Sequence, residues 1–334
     1  MKSVTDSREN CRLAVKQSTR MIKHNPYLNS GWGSWLARLF LPLIVIFTSG
    51  LSSKSVSAEL MVLYPEVKAP FSKVFEDISE GARSGFKGDT TFVKLDEKTS
   101  LQPEVSRKKP DIVLALGKRS LLTANALENR PPLVLGAVNS GEYAYPGIVM
   151  IPDPEVILDR LLVLSPGVKR VHVVQKSSGD DLQLLGAVEY LKKRNVELIV
   201  YLAEDIRAAA SIYAEMLEKA NSGDAVWILQ DGSYVNSAIF SLLLDAAWNK
   251  NLVVFSSNPL HVKHGALFAV YPDNKKMGVS LGKIANEVLA KNAEPTMHPL
   301  RDVLLAVNER TGSHLGISLS NDVREQVDLI LPAR

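Results

Sequence analysis

Cysteine is nearly absent. The 334-residue chain has one, Cys11, so no disulfide forms within it, and a chain without its first residues suits an oxidising compartment. The one Gly-x-Ser-x-Gly match, Gly278–Gly282, falls inside the helix expected over Lys275–Ala290 and not at a strand-to-helix turn, which speaks against a hydrolase elbow. No Walker pattern occurs, and no repeat of solenoid period. Strong charge of one sign is missing too. The formal net charge is +3, and residues 1–58 carry eight Lys/Arg against two acids. Removing those from 39 basic and 36 acidic residues leaves 31 and 34, a net of −3. The basic balance therefore belongs to the N-terminus and gives no support for a nucleic-acid partner. What is present is a 46% apolar composition, enough to bury one or two sizeable cores.

The N-terminal stretch reads as a targeting segment. Arg38 precedes the apolar run Leu39–Phe47, Ser/Gly-rich residues follow, and Val56-Ser57-Ala58 ends it in a small-x-small pattern. This is the order of a secretory signal cleaved after Ala58. The run is short for a transmembrane helix, and an uncleaved anchor is the competing reading. The segment ahead of Arg38 is long for such a signal, and Met21 offers an alternative start. The expected product begins at Glu59 and lies in the periplasm or outside the cell.

From there the chain alternates strands and helices. Lys109–Ser120 shows the unit. Ile112 to Leu116 is an apolar run bounded by Pro110-Asp111 and Gly117, as expected of a strand buried on both faces. Gly117 permits a sharp exit, and Ser120 is placed to cap a helix over Leu121–Glu128. Leu60–Tyr64, Thr90–Leu95 and Leu133–Val138 are further strands, and Gly147–Ile151 a short one. Phe71–Phe86 reads as a helix with Phe71, Val74, Phe75, Ile78 and Ala82 on one face. A shortened helix falls within the polar residues 96–108. Asp153-Pro154-Glu155 is a helix start with Asp as cap. Strands then begin at Val171, Leu198, Ala225 and Leu252, roughly 26 to 28 residues apart, the length of one βα unit. Helices are expected over Asp181–Arg194, Arg207–Ala220, Tyr234–Trp248 and Lys275–Ala290. The sequence predicts mainly parallel sheets in two three-layer α/β lobes, dividing near residue 150.

On these residues the chain resembles the substrate-binding proteins of ABC transporters, in the periplasmic-binding-protein-like group with tryptophan- and tyrosine-associated members. The resemblance rests on Lys109–Gly117 (KPDIVLALG), Pro132–Val138 (PLVLGAV), Leu164–Val171 (LSPGVKRV), Asn251–Ser256 (NLVVFS), Lys263–Ala266 (KHGA) and Val307–Leu319 (VNERTGSHLGISL). It implies a type I periplasmic-binding-protein fold with an interlobe cleft and several crossovers. Residues 59–150 plus 272–334 would form the N-lobe and 151–271 the C-lobe. The implied partners are a small ligand, amino acid-like by analogy, and an ABC permease. A sensory binding protein that signals to a receptor or histidine kinase without transport is the alternative. No cofactor and no catalysis are implied, and a monomer is expected. Lys118-Arg119 and Asn139-Ser140-Gly141 stand where the family often carries small residues and Thr-Asp-Pro, which leaves an anionic solute open.

In an open α/β sheet, ligands sit beyond the carboxyl ends of the strands. The candidates there are Tyr64, Gly117, Lys118, Ser120, Asn139, Ser140, Lys176, Ser177, Asp231, Ser233, Ser256 and Asn258. Asp231 would pair with a ligand ammonium, Ser120 or Ser140 would bond its carboxylate, and Tyr64 would stack on a planar group. The competing reading is that Ser, Asn, Asp and Gly at these places only cap helices and make turns. Ser177–Asp180 reads as a helix cap. His261 and His264, three apart, lack the companions of a metal site. Trp227 and Trp248 read as core.

Overall fold

The computed structural model describes residues 57–332, apart from 97–99, 140, 142, 178–181 and 231–233. The chain opens with β1 (Ala58–Pro65), α1 (Phe71–Gly85), β2 (Gly88–Leu95), α2 (Leu101–Lys108), β3 (Ile112–Leu116), α3 (Gly117–Asn125), β4 (Leu133–Val138) and β5 (Gly147–Pro152). It continues through α4 (Pro154–Leu164), β6 (Arg170–Lys176), α5 (Leu182–Lys192), β7 (Glu197–Ala203), α6 (Ile206–Lys219), β8 (Asp224–Ile228), α7 (Ser237–Lys250), β9 (Val253–Ser256), α8 (Pro259–His264) and β10 (Phe268–Pro272). It closes with α9 (Asn274–Leu289), β11 (Met297–Leu300), β12 (Val303–Asn308), α10 (Glu309–His314), α11 (Asn321–Arg324) and β13 (Leu329–Leu331).

These strands make two sheets. The first runs β11-β5-β4-β3-β1-β2 and the second β13-β12-β10-β9-β8-β6-β7. All described pairings are parallel except β10 with β12. Side-chain alternation builds a layer on each face. In β1, Leu60 and Val62 join Ile78 and Ala82 of α1 and Met277 and Leu281 of α9. Met61 and Leu63 join Leu101 and Val105 of α2 and Leu121 and Ala124 of α3. The second sheet repeats the plan. Trp227 and Phe255 face α4 and α5, whereas Val226, Ile228 and Val254 face α6 and α7. Two three-layer α/β units result.

Helices α1 and α9 pack backbone to backbone. A Cβ placed on Gly81 would lie 2.0 Å from the Lys275 carbonyl oxygen, and one on Gly278 would lie 2.1 Å from that of Ile78. The two backbones touch, which locks the helix returning from the second sheet onto the first.

Three crossovers join the sheets. β5 leads through Asp153 into α4, β10 leads through Asp273 into α9, and β11 leads through Arg301-Asp302 into β12. The tail was expected to return whole to the N-lobe from residue 272. Instead only α9 and β11 do so. β12 pairs with β10 from Pro272↔Val303 onward, and β13 pairs with β12. The short apolar run Val303–Val307 extends the second sheet between β10 and β13, a cue hidden by the tail's polar flanks.

Candidate functional site

Each crossover leaves from a strand's carboxyl end: β5, β10 and β11. The carboxyl ends of both parallel sheets therefore border the same junction. Main-chain bonds tie the crossovers together. Asp153 N–H donates to Leu300 O at 2.8 Å, and Asp273 N–H donates to Asp302 O at 2.9 Å. Arg301 Nη1 donates to Asp153 Oδ2 at 2.5 Å, while Asp153 Oδ1 caps α4 by accepting from Glu155 N–H at 2.9 Å. Ser280 Oγ of α9 donates to Asp302 Oδ2 at 2.6 Å.

On the first sheet the candidates fall on β1, β3 and β4, three adjacent strands. Tyr64 is half-buried against the α1 side of the core. Gly117 has φ +83°, and a Cβ there would lie 3.7 Å from the Phe75 ring and 3.8 Å from Ala137 O. A residue with a side chain is strained in that left-handed conformation. This turn starts α3 at once, four residues before the expected position. Leu116 holds the cap position without a side-chain bond. Ser120 is therefore not a cap. It lies inside α3, fully buried, and its Oγ has no hydrogen-bond partner. Its burial also removes it from direct contact with a ligand in this conformation.

Lys118 and Arg119 separate. Arg119 Nη2 donates to Asp96 O at 2.6 Å, just past β2, whereas Lys118 is exposed. Asn139 is exposed beyond β4, and Ser140 lies outside the described residues. Sequence reasoning missed Ala137, which adopts φ +53° where the β4–β5 register shifts between Leu135 and Val138. A bulge at a strand's carboxyl end re-aims the backbone beside a site, and the preceding Gly136 was its available signal.

On the second sheet the described candidates stand at the ends of β6 and β9. Lys176 and Ser177 are exposed at the end of β6, and Ser177 N–H donates to Ala203 O at 2.9 Å. Asp231, Ser233 and the 178–180 part of the expected cap lie outside the described residues. Ser256 and Asn258 build a turn. Ser256 Oγ is buried and accepts from Asn258 N–H at 3.1 Å, while Asn258 Oδ1 caps α8 by accepting from Leu260 N–H at 3.0 Å. For these two the bland reading describes the bonds seen.

The other singled-out residues have structural places. His261 packs on the Phe240 ring at 4.6 Å, and His264 Nδ1 meets Leu260 O at 2.7 Å. Burial, then His264, lowers the His261 pKa. Trp227 is core, stacked on Phe255. Trp248 is not: it is 44% exposed and stacks on His314 at 3.5 Å. A pocket of about 380 Å³ lies under α10 and α11, beside Leu267, Val307, Glu309 and Arg324. It sits at the amino end of β10, away from the crossovers.

A family model described as "ABC transporter substrate binding protein" matches residues 155–328. The chain belongs to that family. It is a family of binding proteins, and binding is the role its strand-end arrangement fits. Two solved structures share the fold. One is the ABC domain in complex with L-Trp from Streptococcus pneumonia, at 18% identity, covering 82% of this chain and 100% of that one with a TM-score of 0.50. The other is a ligand-free, open substrate binding protein with adhesive properties from Clostridium difficile, at 17% identity, covering 83% and 100% with a TM-score of 0.60. No curated protein matches the chain. Among the described residues no helix is long and apolar enough to cross a membrane. The type I periplasmic-binding-protein architecture is thus that of the substrate-binding family.

Proposed function

We infer that the protein captures an amino acid-like solute between its two sheets outside the cytoplasm and hands it to an ABC permease. The observation carrying this reading is that all three crossovers leave from strand carboxyl ends. The candidate residues at the ends of β1, β3 and β4 thereby border the same junction as those at the ends of β6 and β9. A ligand that touches both sets has higher affinity for the closed form, which is how closure follows capture. Lys118 and Lys176 would take a carboxylate, and Asn139 and Ser177 would add polar contacts. Tyr64 remains a candidate beside them, and Ser140, Asp231 and Ser233 remain candidates from the sequence alone. The L-Trp complex of the Streptococcus structure favours an amino acid with a planar side chain. Residues 1–58 would be the export signal, and N-terminal sequencing of the exported product should begin at Glu59.

A thermal-shift screen of the full chain with free amino acids, purines and small anions tests the ligand class. An amino acid should raise the melting temperature. No shift with any amino acid would sink that class, and a shift with small anions alone would replace it.

A further inference from the structure

We propose that two copies of this chain pair through the outer edge of β7, extending the second sheet across a twofold axis. The four sheet edges differ in how they are protected. Edge strands with unpaired backbone groups invite pairing, and proteins blunt them with charge, proline, bulges or shortness. β2 carries exposed Asp89 and Lys94. β11 contains Pro299 and a register shift between His298 and Leu300. β13 has three residues and is followed by Pro332.

β7 has neither proline nor bulge nor shortness, and its one charge stands at its first residue. Its sequence is ELIVYLA, and its register with β6 is unbroken over all seven residues. Val200 is 37% exposed, Leu202 58%, and Ile206, which begins α6, 44%. Charge at the two ends of the strand is complementary to itself. Lys192, Lys193 and Arg194 precede β7, and Glu204 and Asp205 follow it, all exposed. Antiparallel pairing with Ile199 opposite its counterpart sets Leu198 against Val200 and brings Arg194 to Glu204. Both contacts occur twice about the axis, as an isologous interface requires. Such a pair closes on itself and leaves the strand ends at the crossovers untouched. This departs from the monomer expected from the sequence.

Sedimentation velocity of the purified full chain over a concentration series tests the proposal. The expected result is a reversible monomer–dimer equilibrium that Leu202→Lys weakens at least about tenfold. Glu204→Arg should weaken it as well, and adding Arg194→Glu to that variant should restore it. Thermal melts confirm that each variant folds. A chain that stays monomeric up to about 100 μM overturns the proposal. So does a dimer that neither Leu202→Lys nor Glu204→Arg disturbs, or an open-ended series of larger species.

Discussion

The Arg301 guanidinium reaches from the third crossover to the Asp153 carboxylate in the first, with Nη1 to Oδ2 at 2.5 Å. Asp153 does two things at once, because its other oxygen caps α4. The Arg301 side chain is 63% exposed, so solvent screens the ion pair. Arg301→Ala should cost under about 1 kcal/mol. Asp153→Ala also removes the cap and should cost about 1–2 kcal/mol. Urea denaturation of both variants checks the order, and equal losses would mean that the cap contributes nothing.

The contact of α1 with α9 makes a sharper prediction. A methyl on Gly278 would meet the Ile78 carbonyl oxygen at 2.1 Å, and backbone at that distance cannot yield as a side-chain tip does. Gly278→Ala should destabilise by about 3 kcal/mol. Gly167→Ala is the control, since nothing lies within 4 Å of its Cβ position, and should stay within about 0.5 kcal/mol. Denaturant midpoints distinguish the two.

Much of this architecture was legible in the sequence, and the reasons are local. Leu133–Val138 is continuous apolar strand between Pro132 and Asn139, and β4 has those bounds. Asp153-Pro154-Glu155 starts a helix because each residue type suits its position. What stayed hidden was tertiary. The spacings Gly81-x-x-x-Gly85 and Gly278-x-x-x-Gly282 stand in the sequence, but only the partner helix gives them meaning. The start of α3 was misplaced because Gly117 turns the chain sooner than Ser120 suggested. Arg301 and Asp302 carry no signal of their own, since their partners lie far away in the chain.

A buried polar cluster at the amino ends of β6 and β8 sets a pH dependence. His172 is buried, with Nδ1 3.1 Å from Tyr201 Oη and Nε2 3.5 Å from Asp224. Burial lowers its pKa, against the attraction of Asp224. For Asp224, burial acts upward, but hydrogen bonds from Arg170 and the Asn221 N–H outweigh it and hold the carboxyl below its usual value. The neutral His172 favoured in the fold contributes stability above its unfolded pKa near 6.5, and that contribution is lost as pH falls through the lower folded value. Asp224 adds a further loss at more acidic pH, with the same sign. Stability should therefore decline as pH falls below about 6.5. His172→Gln should flatten that part of the curve; an unchanged slope in urea titrations would remove His172 as its source.

The separation of Lys118 from Arg119 predicts unequal roles. Arg119 is engaged with Asp96 O, whereas Lys118 is exposed at the start of α3. Lys118→Ala should weaken binding of a carboxylate-bearing ligand about tenfold, the scale of one charge-assisted bond. Arg119→Ala should change affinity less. Isothermal titration calorimetry reads both, and a larger loss for Arg119→Ala would reverse the assignment.

Capture between the sheets is tested most directly by small-angle X-ray scattering of the full chain with and without the amino acid giving the largest thermal shift. Closure around a shared ligand predicts that the radius of gyration falls on saturation and returns when the ligand is dialysed away. Saturable binding with an unchanged radius of gyration would contradict capture between the two sheets.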